Sequence, residues 1–310
     1  MRDPAPLLLS IPSYAGLAER LAAATGWAQA EVERKTFSDG ETYQRIVTPL
    51  REHPVVLVAG TASERDTLLA YDLASAAVRW GASRLTWVLP YFGYQTMERA
   101  VRPQESVVAK SRATLIASLP TAPLGNRVLL LDLHAAGIAY YFDAGTPAFH
   151  LYGKSLVFEA AREFADGGPF VLAAPDAGRA KWVESLADDL GVPVAYASKR
   201  RGADGTTRVT GLDADVRDQV VVIYDDMIRS GSTLLGAARA FLEAGASRCY
   251  AVTTHLVLPE GAPERLFADG LLQGVAGTDS HPRAQGVAHD PRFRVRSVAP
   301  LLARWLQERP

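Results

Sequence analysis

The sequence predicts an α/β protein of two similar halves, each a mostly parallel sheet flanked by helices. Short Val- and Leu-rich runs without period-2 alternation recur along the chain, the pattern of strands buried on both faces. Ala-rich amphipathic stretches follow most of them and run to a glycine, as a helix with a glycine C-cap does. The tetrapeptide Gly-Ala-Ser-Arg occurs at 81–84 and again at 245–248, each time after a segment opening with Thr-Leu-Leu and before a strand-like run. Agreement of strand, loop, helix, tetrapeptide and strand order points to duplication of one unit.

In order, the first half is expected to hold strands at 55–60, 84–90 and 127–134, with a helix at 67–82. The second half repeats this with strands at 170–176, 220–226 and 249–258 and a helix at 233–246. The boundary falls between 145 and 165, giving domains at 1–150 and 151–310.

Composition removes several function classes. With 48% hydrophobic and 22% charged residues, the 310-residue chain is neither disordered nor collagen-like. Its 33 basic and 34 acidic side chains leave a net charge of -1, so nucleic acid and acidic membrane are not expected as partners. Any phosphate site must be local. The apolar stretch near the amino terminus is too short and Pro-broken for a signal peptide or membrane span, and the single cysteine, Cys249, fits a reducing compartment, so the cytoplasm is expected.

The two copies differ where a ligand would bind. The strand at 220–226 ends in Asp225 and Asp226 and continues through Arg229, Ser230, Gly231, Ser232 and Thr233 into a helix, whereas the first copy has AGTASERDT there. Hydroxyls and backbone N–H groups at a helix amino terminus favour a phosphate, and Gly231 permits close approach. Paired carboxylates at the carboxyl end of a buried strand match the vicinal hydroxyls of a ribose. The competing reading is an ordinary turn with a capped helix.

The segment VVIYDDMIRSGSTL resembles the sugar-diphosphate loop of type I phosphoribosyltransferases and of ribose-phosphate diphosphokinases. The segments FSDGETYQRI, LPYFGY, LDLHAAGIAYYFD, APDAGR, SKRR and SVAPLLA resemble successive diphosphokinase motifs, in order and over nearly the whole chain. The resemblance implies two phosphoribosyltransferase-like domains. It also implies Mg²⁺-dependent transfer of the diphosphoryl group of ATP to the anomeric hydroxyl of ribose 5-phosphate, with AMP as the other product. It places His134 and Asp176 on magnesium and nucleotide phosphates. Asp132, two residues before His134 on the same side of an extended strand, is a weaker supporting candidate. Phe37, Asp39 and Glu41 fall around adenine, Arg99 on ATP, and residues 225, 226 and 229–233 on the sugar phosphate. Lys199 and Arg201 become the catalytic cations, in a stretch whose Gly- and Thr-rich continuation reads as a mobile loop. A homo-oligomer, dimer or hexamer, is implied as well.

Two departures qualify the resemblance. After PYFGY the family typically has Ala-Arg-Gln-Asp-Arg, and this chain has Gln95, Thr96, Met97, Glu98 and Arg99. One arginine and one glutamine that contact ATP in the family are thereby replaced, with Lys110 a candidate to supply the charge instead. In the sugar-phosphate loop Arg229 replaces an aspartate, which reverses a charge. A non-catalytic homologue binding nucleotide or sugar phosphate, and a phosphoribosyltransferase, remain open alternatives at this point.

Overall fold

A computed structural model describes residues 4–142, 145–176, 178–201, 207–212 and 215–309, and the side chains of all of these except 198–201 and 207–212. The chain divides into two compact units, Met1–Tyr152 with Ser297–Pro310, and Gly153–Arg296.

The first unit contains β1 (Leu7–Ser10), α1 (Ala15–Thr25), β2 (Val32–Thr36), β3 (Thr42–Ile46), β4 (Pro54–Val58), α2 (Glu64–Arg79), β5 (Arg84–Leu89), α3 (Val108–Ala117), β6 (Asn126–Leu131) and β7 (Ala148–Leu151). Its five-stranded sheet, ordered β1-β4-β5-β6-β7, is parallel throughout, and β2 and β3 form a separate antiparallel hairpin. Val55 to Val58 of β4, between β1 and β5, are buried, which is why that run shows no alternation. Helix α2 starts cleanly because the Ser63 hydroxyl accepts the Asp66 N–H at 3.0 Å and Glu64 and Asp66 sit at the positive end of the helix dipole.

The second unit contains α4 (Lys154–Phe164), β8 (Phe170–Ala174), α5 (Ala180–Leu190), β9 (Val194–Arg201), β10 (Thr207–Leu212), β11 (Val220–Ile228), α6 (Ser232–Glu243), β12 (Arg248–Leu256), α7 (Ala262–Ala268), β13 (Gly274–Thr278) and β14 (Phe293–Arg296). Its sheet runs β10-β9-β8-β11-β12-β13-β14, antiparallel only at β9–β10. Apolar layers cover both faces, one with Phe241 of α6 and Leu266 of α7, the other with Phe164 of α4 and Leu186 of α5.

The order β8-β11-β12-β13-β14 repeats β1-β4-β5-β6-β7, and the β9–β10 hairpin stands where β2–β3 does in the chain. The tetrapeptide repeat is a shared piece of geometry. Gly81 and Gly245 adopt φ of 95° and 98°, where a Cβ is strained, and their carbonyls each accept an N–H at 2.9 Å, from Glu52 and Asp218. Ser83 and Ser247 then donate their N–H groups to His53 and Gln219.

Residues 297–310 depart from the expected division. Helix α8 (Ala299–Glu308) packs on α1 in the first unit, where Trp305 meets Phe149 at a ring separation of 5.2 Å. The apolar stripe of α8 buries Leu302, Trp305 and Leu306, so its amphipathic pattern was legible while its destination was not. The basic run also departs from the loop expected for it. Lys199, Arg200 and Arg201 close β9, paired to Val209, Arg208 and Thr207, while residues 202–206 lie outside the described residues.

Candidate active site

Strand β11 lies between β8 and β12 and carries the acidic pair at its carboxyl end. The Asp226 N–H donates to the Asp225 carboxylate at 3.0 Å, which fixes the two side chains relative to each other. Arg179, just before α5, reaches both, at 2.7 Å from Asp226 and 3.5 Å from Asp225. Burial, and then the Asp226 charge, push the Asp225 carboxyl well above the usual carboxylate range; Asp176 adds to this and Arg179 opposes it. One guanidinium thus serves both carboxyls of the pair. Two adjacent carboxyls at a strand end make a site that a cation or a pair of sugar hydroxyls suits.

The loop beyond is built to stay open. Gly231 is the N-cap of α6 with φ of 77°, and no side chain caps the helix there. A Cβ at Gly231 would lie 2.4 Å from Leu266 Cδ2, in the packed core. The hydroxyls of Ser230 and Ser232 lie 3.1 Å apart, Thr233 is half-buried and Arg229 is exposed. Helix dipole, orphan N–H groups and hydroxyls therefore converge at one end of α6.

The first copy shows the same place closed. Ser63 caps α2 with its own side chain, the Thr61 hydroxyl accepts the Gly93 N–H at 2.7 Å, and Ser13 donates to Asp66 at 3.0 Å. Tyr14 fills the space over Gly60, where a Cβ would sit 2.0 Å from its hydroxyl. The polar groups that could receive a phosphate are spent on one another.

His134 follows β6 on a segment held by three successive main-chain bonds. Asp132, at φ of 36°, donates to the Leu151 carbonyl, Leu133 to His150 Nε2 and His134 to Gln95 Oε1, at 2.9, 2.9 and 2.8 Å. The same segment is tied again to the Gln95–Arg99 stretch by Tyr141, whose hydroxyl donates to the Glu98 carbonyl. The second copy has a counterpart in Asp279, Ser280 and His281. There the imidazole is buried, its Nδ1 accepts the Arg283 N–H at 3.2 Å, and burial, His255 and Arg283 drive its pKa down to about 3. His281 is a neutral structural histidine, whereas His134 is half-buried.

Asp176 ends the β8 strand loop and accepts the Gly178 N–H at 3.0 Å. Among the described residues no three His, Cys, Asp or Glu side chains form a metal-binding group. Magnesium suits this, because it is commonly held by one or two carboxylates completed by water and substrate phosphates. The carboxylate oxygens of Asp176, Asp225 and Asp226 are the hard donors that suit such an ion.

Phe37, Asp39 and Glu41 form the exposed turn of the β2–β3 hairpin. Phe37 donates its N–H to the Glu41 carbonyl, Asp39 accepts the Glu41 N–H, and Lys35 lies 4.9 Å over the Phe37 ring. Arg99 is exposed and 3.5 Å from Glu98. Lys110 is exposed on α3, and it is Arg112 that packs on the adjoining loop, 5.3 Å over the Tyr94 ring. The side chains of Lys199 and Arg201 lie outside the described residues. Sequence reasoning assigned no role to Arg179, although it stands three positions after Asp176 in APDAGR, and treated Gln95 only as a departure.

Two parallel α/β units, one ending its central strand in an acidic pair before a glycine-opened helix, define a phosphoribosyltransferase-like protein. A family model described as the N-terminal domain of ribose phosphate pyrophosphokinase matches residues 7–119, and a phosphoribosyl transferase domain matches 146–266. A ribose-phosphate pyrophosphokinase of Gloeobacter violaceus is 37% identical over 294 residues, covering 92% of this chain and 84% of that protein. One from Clostridium perfringens is 33% identical over 296 residues, covering 94% and 90%. The crystal structure of phosphoribosylpyrophosphate synthetase from Mycobacterium smegmatis superposes with a TM-score of 0.86 at 27% identity, covering 98% of both chains. The chain belongs to the ribose-phosphate pyrophosphokinase family.

Proposed function

We propose that the protein transfers the β,γ-diphosphoryl group of ATP to the anomeric hydroxyl of ribose 5-phosphate, releasing AMP. The observation that carries this is the contrast between the two copies: the acidic pair and open α6 terminus persist in the second, while the first is plugged by its own side chains. In this reading Asp225 and Asp226 accept the ribose hydroxyls, and the α6 terminus with Ser230, Gly231, Ser232 and Thr233 receives the 5-phosphate. Arg229 adds an exposed cation to that phosphate site. Asp176 is assigned to magnesium, and His134 to nucleotide phosphate and magnesium. Magnesium, when bound, neutralises the diphosphoryl charge and aligns it for in-line attack.

Phe37 stacks on adenine, Asp39 and Glu41 accept from its amino group, and Arg99 pairs with phosphate. Lys199 and Arg201 stabilise the charge on the transferring group. The FSDGE turn, with Phe37 43% exposed, suits completion by a second copy, so the active form is a homo-oligomer, dimer or hexamer. Cytoplasmic residence belongs to the same reading and agrees with a buried Cys249 whose thiol is pushed up to about 12. Among the described residues no helix is long and apolar enough to cross a membrane.

The test is incubation of the pure protein with ATP, Mg²⁺ and ribose 5-phosphate. Sugar-dependent AMP and a sugar diphosphate are expected, and Lys199→Ala should lower kcat at least about a hundredfold. No AMP above a sugar-free control, over a panel of nucleoside triphosphates and pentose phosphates, would sink the proposal.

A further inference from the structure

Gln95 is a buried polar residue that the proposed chemistry does not use. It is 1% exposed, and its Nε2 has no hydrogen-bond partner among the described residues. Its Oε1 accepts the His134 N–H at 2.8 Å, and this contact settles the orientation of the amide, because turning it over would set NH₂ against a donor. A buried amide that leaves one donor unmatched is costly, and an apolar side chain of the same size would pack without that cost. What the position gains in return is the bond to His134.

That bond matters because of how the histidine is presented. The backbone turns sharply at Asp132, with φ of 36°, and the next two peptide groups are fixed from outside the segment, by His150 and by Gln95. The Gln95 contact is made to the main chain of His134 itself. It sets the direction of the Cα–Cβ bond and so where the imidazole points. Gln95 opens the stretch Gln95–Arg99, which is tied to the same segment a second time by the Tyr141 hydroxyl and the Glu98 carbonyl.

We propose that Gln95 is a positioning residue, whose buried carboxamide holds the His134 main chain, and through it the imidazole, in the geometry that receives nucleotide phosphate. The inference rests on the reading of His134 as a nucleotide residue, and not on the identity of the sugar or on turnover.

Two variants separate the hydrogen bond from simple packing. Gln95→Met keeps the volume and removes the acceptor, and Gln95→Ala removes both. Calorimetric titration with Mg²⁺ and a non-hydrolysable ATP analogue is expected to show about a tenfold weaker Kd in both variants, one hydrogen bond's share of affinity. Ribose 5-phosphate affinity should stay at the wild-type value, and the thermal midpoint of Gln95→Met should lie within a few degrees of the wild type, because relief of the unmatched Nε2 offsets the acceptor lost to the His134 N–H. Gln95→Met binding the analogue as the wild type does would overturn the inference, whether or not Gln95→Ala is impaired. Wild-type protein that binds the analogue but forms no AMP would overturn the diphosphokinase reading and leave this one standing. Wild-type protein that binds no analogue would overturn both.

Discussion

Among the described residues Arg179 is the cation that pairs with both acids, so its removal gives a sharp test of the site's electrostatics. In Arg179→Met the apolar stem is retained and the guanidinium is lost. Side-chain exposures are 13% for Arg179, 20% for Asp225 and 5% for Asp226, so solvent cannot replace the pairing. Breaking a buried pair of this kind costs about 3–5 kcal/mol. A unit of this size loses roughly 2–4 °C per kcal/mol, so its midpoint at pH 8 should fall by roughly 6–20 °C.

The pH dependence has a definite sign. Asp225 already titrates above its ordinary value, so its contribution to stability is greatest below the unfolded pKa of about 3.9 and is lost as pH rises through the folded value. Without Arg179 the Asp225 carboxyl shifts further up, and the loss extends to higher pH. The deficit of the variant should therefore be largest at pH 8 and shrink steadily as pH falls toward 4. Thermal unfolding followed by circular dichroism across that range measures it. A deficit that is constant with pH, or that grows in acid, would refute the assignment of Arg179 as the counter-charge.

Three further substitutions test the packing of the two copies and the buried histidine. Gly231→Ala combines a strained φ of 77° with a contact to Leu266 Cδ2 at 2.4 Å, so it should cost about 2–4 kcal/mol and raise the KM for ribose 5-phosphate well above tenfold. Gly60→Ala meets Tyr14 and should destabilise the first unit without a selective loss of sugar-phosphate affinity, read by calorimetric titration. His281, with its pKa near 3 against about 6.5 unfolded, must remain neutral; its stabilising share is present above pH 6.5 and falls by roughly 2–3 kcal/mol by pH 4.5, so His281→Gln should flatten the acid limb of a stability profile.

The architecture was legible where burial imposed a pattern. Runs such as those of β4, β11 and β12 are covered on both faces and read as strands without ambiguity. Hairpin β2–β3 was not legible, because Val32 to Thr36 are polar and mostly exposed, and its partner strand is half-exposed. Strand β13, Gly-Val-Ala-Gly-Thr, has two glycines that make room for Phe164 and Leu256, so a buried strand carried little apolar signal. The sugar-phosphate loop stood out because the first copy lacks it. Arg179 and Gln95 did not, since what marks them is a partner distant in sequence: 46 and 47 positions to the acidic pair, 39 to His134.

The most direct measurement follows the phosphorus atoms. With ATP labelled separately at the α, β and γ positions, Mg²⁺ and ribose 5-phosphate, the account predicts that β and γ label pass together to the sugar and α label remains in AMP. Transfer of γ label alone, with ADP as product, or release of label as free phosphate without a sugar product, would contradict it.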